Sequence, residues 1–394
     1  MSEPASRPLP WVRRMSGRDR GEAHRASTPL ELLFDLTFVV AVARAGTELR
    51  DALAQGQAGH ALAGYAAVFF GVWWAWVNFT WFASAYDTDD VPYRLLTLLQ
   101  MAGVLVFAAG IPAAFQHFDF TVVAAGYVIM RMAVVTQWLR AARGHPEGRA
   151  GTLRYAVGIT AVQLCWIGWL YLPRQAHLAG FLVLVAAELA VPALAEFGGQ
   201  ATPWHPGHIT ERYGEFTIIV LGEVIAAIAS AVQQTLGHSR ASPGLVTAAT
   251  AGLLLVFALW WSYFKHSAAE EIRRSLPWTF VWAFAHYLIF AAVAALGAGL
   301  QVVIGTLTHN TRVSPTFAAF AVAIPVTIYI VVLALLHTRR RSEPAALRLT
   351  LLTAVLILAA ATPILTLPLS LVIMVALVAL LLAYNLTAAH RATS

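Results

Sequence analysis

The chain is poor in charge, in lysine and in cysteine, and each shortage excludes something. Only 12% of its 394 residues are Asp, Glu, Lys or Arg, too few to clothe soluble domains of this total length. A single cysteine, Cys165, excludes a disulfide within the chain and leaves the redox compartment open. Lysine occurs once, as Lys265, so the excess of 26 basic over 20 acidic residues is an excess of arginine. Those arginines lie mostly between hydrophobic runs, where membrane topology explains them better than a nucleic-acid partner does. The N-terminal segment has no apolar core with a cleavage site, so no signal peptide is expected. No Walker loop, nucleophile elbow or HExxH occurs either, and no resident cofactor is expected.

Apolar residues are abundant instead. They make up 59% of the chain, and the mean hydropathy is +0.68. Apolar runs near the roughly 20 residues that cross a hydrocarbon core follow one another along the length, which makes the lipid bilayer the first partner. The fold class is therefore all-α, a polytopic transmembrane helical bundle of about 12 spans. Pro363 follows a short eleventh run, so a count of eleven stays open. Placing the N-terminus inside assigns 20 of the 26 basic residues to inner segments, against four outside at Arg50, Arg174, Arg240 and Arg312. That asymmetry favours twelve spans with both termini cytoplasmic.

Two stretches share a rhythm. Thr28-Pro29-Leu30-Glu31-Leu32-Leu33-Phe34-Asp35-Leu36-Thr37 is echoed by Glu211-Arg212-Tyr213-Gly214-Glu215-Phe216-Thr217. Acid, three residues, acid, one residue, threonine is common to both, and it sets two carboxylates one helical turn apart on one face. A tryptophan pair follows in each half, Trp73-Trp74 and Trp260-Trp261. The repeat predicts two pseudo-symmetric six-helix halves in the same orientation. The expected layout is a basic, disordered arm at 1–27, a first half at 28–198, a linker at 199–210, a second half at 211–388 and a cytoplasmic tail at 389–394.

The same residues carry a resemblance. The run from Thr28 to Val39 resembles the opening signature of the bacterial low-temperature-requirement A (LtrA) family. His208-Ile209-Thr210-Glu211-Arg212, with Leu221-Gly222-Glu223 after it, resembles that family's central motif. Tyr86-Asp87-Thr88-Asp89-Asp90 with Arg94, Trp260-Trp261-Ser262-Tyr263-Phe264 and Ala285-His286 extend the match in order. Lys265 stands where the family pattern has an acid, and Glu215 where it is often uncharged. The resemblance implies a polytopic membrane protein and a link to growth in the cold, but no reaction.

Charge inside a membrane costs about 2.5–3.5 kcal/mol per residue on insertion scales, so buried ionisable groups are candidates for function. Thr28 and Glu31 form a capping-box pattern with Pro29 in first position, which reads Glu31 mainly as a cap. Glu211 reads as a first-turn acid favoured by the helix dipole. Asp35, Glu215 and Glu223 lie deeper, as does His286, and they carry the functional expectation together with Glu211, Glu31 and His208. Trp73, Trp74, Trp260, Trp261 and Tyr263 are candidates to line a cavity. His208, Glu211 and Glu215 are the residues a metal site would use, although proton relay needs no fixed ligand count and fits their different depths better. Arg131 and Glu188 can neutralise each other as a structural pair.

The leading expectation is proton-coupled transport of a small molecule. A membrane-embedded enzyme using Asp/Glu general acid chemistry on a lipid-soluble, isoprenoid-like substrate is the alternative, and a cold-stress-linked scaffold is a third. No motif demands an enzyme, and the substrate and oligomeric state stay open.

Overall fold

The computed structural model describes residues 11–19, 21–22, 25–197, 201–236, 242–265, 268–338 and 344–391. Among them every regular element is a helix: α1 (Pro29–Ala54), α2 (Ala58–Tyr86), α3 (Val91–His117), α4 (Thr121–Gly144), α5 (Arg149–Trp169), α6 (Arg174–Phe197), α7 (Pro206–Leu236), α8 (Pro243–Phe264), α9 (Ala269–Arg274), α10 (Leu276–Leu307), α11 (Pro315–Thr338), α12 (Pro344–Ala360) and α13 (Leu367–Arg391).

Helix starts follow local chemistry. Proline occupies the first or second position of α1, α3, α7, α8, α10, α11, α12 and α13, where its missing N–H costs nothing. Side chains satisfy the free amides that remain. Asp90 accepts from the Tyr93 N–H at 2.9 Å, and Ser242 from that of Leu245 at 3.2 Å. At α1 the capping box forms in both directions. The Thr28 N–H donates to Glu31 Oε2 at 2.8 Å, and the Glu31 N–H to Thr28 Oγ1 at 3.2 Å. The start of α7 differs from expectation, because the helix begins at Pro206, five residues before Glu211. His205 caps it, its Nδ1 accepting the His208 N–H at 3.2 Å. Glu211 therefore lies in the second turn, beyond a first-turn role, and the end of the expected 199–210 linker is helical.

Nine of the described helices are long and apolar enough to cross a membrane: α2, α3, α4, α6, α7, α8, α10, α11 and α13. The protein is thus a multi-pass helical membrane protein. The other three long helices stand where spans are expected and fall short of that measure. α1 carries Glu31, Asp35, Arg44, Glu48, Arg50 and Asp51, α5 is less apolar, and α12 has 17 residues.

The chain divides into two compact units, one of the residues up to Ala41 with Gly71–Arg212, the other of Val42–Phe70 with the residues from Tyr213 on. The helices α1, α2 and α7 each contribute residues to both. Small residues allow close packing in each unit. In the first, a Cβ on Gly126 would collide with the Phe107 nitrogen, so α3 and α4 approach backbone to backbone. In the second, a Cβ on Gly299 of α10 would collide with the Ala321 carbonyl oxygen of α11.

The described part of the N-terminal arm makes hydrogen bonds to the first unit, and the rest of the expected arm lies outside the described residues. The Arg13 N–H donates to Asp90 Oδ2 at 2.8 Å, Arg14 Nε to the Gly144 carbonyl at 2.8 Å, and the Arg18 N–H to the Ala85 carbonyl at 3.1 Å. Met15 is buried among them. Last-turn carbonyls of α2 and α4 and the Asp90 carboxylate give the arm its docking points.

Candidate functional site

In the first unit the acids of α1 meet bases of α7. Glu31 and Asp35 are one turn apart, and so are His208 and Arg212, so each helix offers two charged positions on one face. The two rows engage rung by rung. His208 Nε2 lies 3.2 Å from Glu31 Oε1, and an Arg212 guanidinium nitrogen lies 2.5 Å from Asp35 Oδ1. All four side chains are 0% exposed. Ascending numbers pair with ascending numbers, so α1 and α7 run parallel here. Their N-termini then share one end, where the positive ends of both helix dipoles favour the acids.

Neighbouring groups extend this ladder. The Trp76 indole N–H, from α2, donates to Asp35 Oδ1 at 2.7 Å. Arg25, buried although it belongs to the arm, lies 3.4 Å from Glu31 Oε1 and 3.7 Å from Asp87 Oδ2. It also donates to the Ala83 carbonyl at 2.8 Å and to the Ser84 carbonyl, which closes the C-terminal end of α2. Arg18 approaches Asp87 at 3.9 Å. Burial, with Glu31 nearby, pushes the Asp87 carboxyl up to about 6 against the pull of Arg25, the Asp89 N–H and Arg18. Asp90 goes the other way. Burial would raise it, but the N–H groups of Arg13 and Tyr93 and the Arg140 guanidinium hold it below its ordinary value.

His205 reaches the Glu22 carbonyl with Nε2 at 2.9 Å. A carbonyl only accepts, so Nε2 carries the proton and Nδ1 is free to cap α7. His208 keeps its Nε2 toward Glu31 at ion-pair distance, and neither ring nitrogen makes a well-aligned hydrogen bond among the described residues.

The structure distributes the expected site residues unevenly. Glu31 is a cap, as its spacing implies, but it is also the hub of His208 and Arg25, which the capping reading omitted. Glu211, Glu215 and Glu223 are half-buried on α7. His208 turns to Glu31, so the three residues a metal site would use, His208, Glu211 and Glu215, are not gathered. Among the described residues no group of three or more His, Cys, Asp or Glu is placed to hold a metal ion. His286 is buried in the second unit. Its Nδ1 lies 2.7 Å from the Trp282 carbonyl and so bears the proton, leaving Nε2 to accept from the Tyr263 hydroxyl at 3.0 Å.

The tryptophan pairs part ways. Trp73 and Trp74 are each 1% exposed, and the Trp74 indole N–H donates to Glu188 Oε2 at 2.7 Å. Trp260 and Trp261 are 46% and 52% exposed, so they present themselves outward and do not wall a matching interior. The expected Arg131–Glu188 pair forms at 2.9 Å, joined by the Tyr127 hydroxyl on Arg131 and the Trp166 indole on Glu188.

Arg212, Arg25, Asp87 and Trp76 were missed as site residues. Arg212 had a signal, because it stands four residues after His208, matching the spacing of Glu31 and Asp35. Arg25 had none beyond its charge.

These features define a multi-pass helical membrane protein with a buried acid–base ladder at a helix-pair entrance. The family described as "Bacterial low temperature requirement A protein (LtrA)" matches residues 26–383, and the chain belongs to it. An uncharacterized protein of Rhizobium meliloti (strain 1021) is 27% identical over 305 residues, covering 73% of this chain and 71% of the relative. No solved structure matches the chain.

Proposed function

We propose that the protein moves a small molecule across the bacterial cytoplasmic membrane coupled to protons, with both termini cytoplasmic and the α1–α7 ladder holding the proton. The observation that supports this is the complete burial of Glu31, Asp35, His208 and Arg212 as two facing pairs. Ionisable groups in such surroundings are expensive to keep and mark proton pathways. The gap of 3.2 Å between Glu31 and His208 is within the reach of proton transfer. A proton on His208 makes an ion pair, and the same proton on Glu31 makes two neutral groups. Neither state adds net charge to the interior, so the proton moves between them without a large penalty. Protonating Asp35 weakens its hold on Arg212, which then favours an anionic group from elsewhere. Proton binding and ligand binding are coupled in this way. The concentration of basic residues in the inner segments supports the stated orientation.

Gradient-driven uptake of a labelled small-solute panel into proteoliposomes tests the proposal. At least one solute is expected to accumulate only with an imposed pH gradient, and Asp35→Asn to remove at least about tenfold of that uptake. Uptake indifferent to the gradient, or none from any solute, counts against it.

A further inference from the structure

In the second unit the C-terminal ends of α1, α7 and α10 surround a cavity of about 690 Å³, within the roughly 300–1,000 Å³ usual for small-molecule sites. Its wall carries Arg50, Asp51, Gln301, Asn310 and Thr311. Neither the acid–base ladder nor any matched motif uses these residues.

The wall is organised before any ligand arrives. Arg50 Nε donates to Asp51 Oδ1 at 2.8 Å, and a second guanidinium nitrogen lies 2.6 Å from the same oxygen. A further Arg50 nitrogen donates to Gln301 Oε1 at 2.9 Å, which turns the Gln301 amide nitrogen away from Arg50. The loop after α10 is tied down on both sides. The Arg312 N–H donates to the Ala54 carbonyl at 3.3 Å and the Asn310 N–H to the Gly305 carbonyl at 2.7 Å. The Thr306 and Thr311 hydroxyls are 2.9 Å apart. A wall held this way loses little freedom on binding.

The charge pattern selects a ligand class. The Arg50 and Asp51 side chains remain 31% and 49% exposed, so each keeps hydrogen-bonding capacity beyond their mutual contact. An anion alone would meet Asp51 and the negative ends of three helix dipoles, and a cation alone would meet Arg50. A molecule carrying both charges a few ångströms apart satisfies both. The remaining wall offers neutral amides and hydroxyls, suited to a polar side chain.

We propose that this cavity binds a small zwitterion of the α-amino-acid type, its carboxylate on Arg50 and its ammonium on Asp51, with Gln301, Asn310 and Thr311 taking its polar side chain. The site stands whether or not the protein moves what it binds. Titration calorimetry on the full chain in detergent, run with each of the twenty L-amino acids, tests it. At least one polar amino acid is expected to bind saturably. Its N-acetyl and methyl-ester forms, each lacking one charge, bind at least about tenfold more weakly. Arg50→Gln and Asp51→Asn each weaken binding by a similar factor at an unchanged melting temperature. If either variant fails to fold, the analogue series decides alone. Saturable binding of none of the twenty, or equal affinity for a single-charge analogue, overturns the proposal. No gradient is needed, so failure here leaves the transport reading intact, and failed gradient-driven uptake leaves this site intact.

Discussion

Two helix segments with the same acid spacing end in opposite circumstances. Glu31 and Asp35 on α1 are fully buried, whereas Glu211 and Glu215 on α7 are half-buried. Among the ionisable side chains compared on α7, the buried ones are His208 and Arg212, each three residues earlier than one of those acids. Three residues turn a helix by about 300°, so the acids sit about 60° away from the face that meets α1. Spacing fixes which side chains share a face. The partner fixes which face is buried.

The largest predicted effect breaks the Asp35–Arg212 rung. Arg212→Leu leaves a buried carboxylate without this cation, a change that typically costs about 3–5 kcal/mol, and should abolish monodisperse protein on size-exclusion chromatography. Glu211→Gln, its immediate neighbour, should elute as wild type. Adding Asp35→Leu to Arg212→Leu should recover most of the folded yield, because pair removal is cheaper than orphaning. Equal loss in the two single variants would dissolve the contrast between the faces.

The tryptophan pairs sharpen the same comparison at smaller scale. Trp74→Phe removes a donor from buried Glu188 and should destabilise by about 1–3 kcal/mol. Trp260→Phe, half-exposed, should stay within about 0.5 kcal/mol. Thermal melts of the two in one detergent give the answer, and similar losses would make the pairs equivalent after all.

The last effect concerns pH. Asp87 titrates near 6 when folded, against an ordinary 3.8, so on acidification the folded state takes up this proton first. Its contribution to stability is fully present below about pH 4 and is lost as pH rises through about 6. Asp87→Asn should flatten the melting-temperature curve between those values. An unaltered slope would place the pH response elsewhere.

Much of the fold was legible because hydrophobic run length and proline position are local signals. The Thr28–Glu31 cap and the Arg131–Glu188 pair could be read likewise, since a capping box is contiguous and an isolated intramembrane pair has few partners to choose from. Arg212 was harder. In a positive-inside count it is one more inner arginine, and only the placement of α7 beside α1 gives it Asp35. Arg25 was read as part of a solvated arm, because nothing in its neighbours announces that the C-terminal carbonyls of α2 await it. The start of α7 was misplaced for a related reason, a cap made by a histidine ring in place of the usual Ser, Thr, Asp or Asn.

The central claim is that the buried row on α1, and not its half-buried echo on α7, holds the coupled proton. Gradient-driven uptake into proteoliposomes, compared between Asp35→Asn and Glu215→Gln at matched protein density, tests it most directly. The account predicts uptake lost in Asp35→Asn and retained in Glu215→Gln. Retention in Asp35→Asn with loss in Glu215→Gln would contradict it.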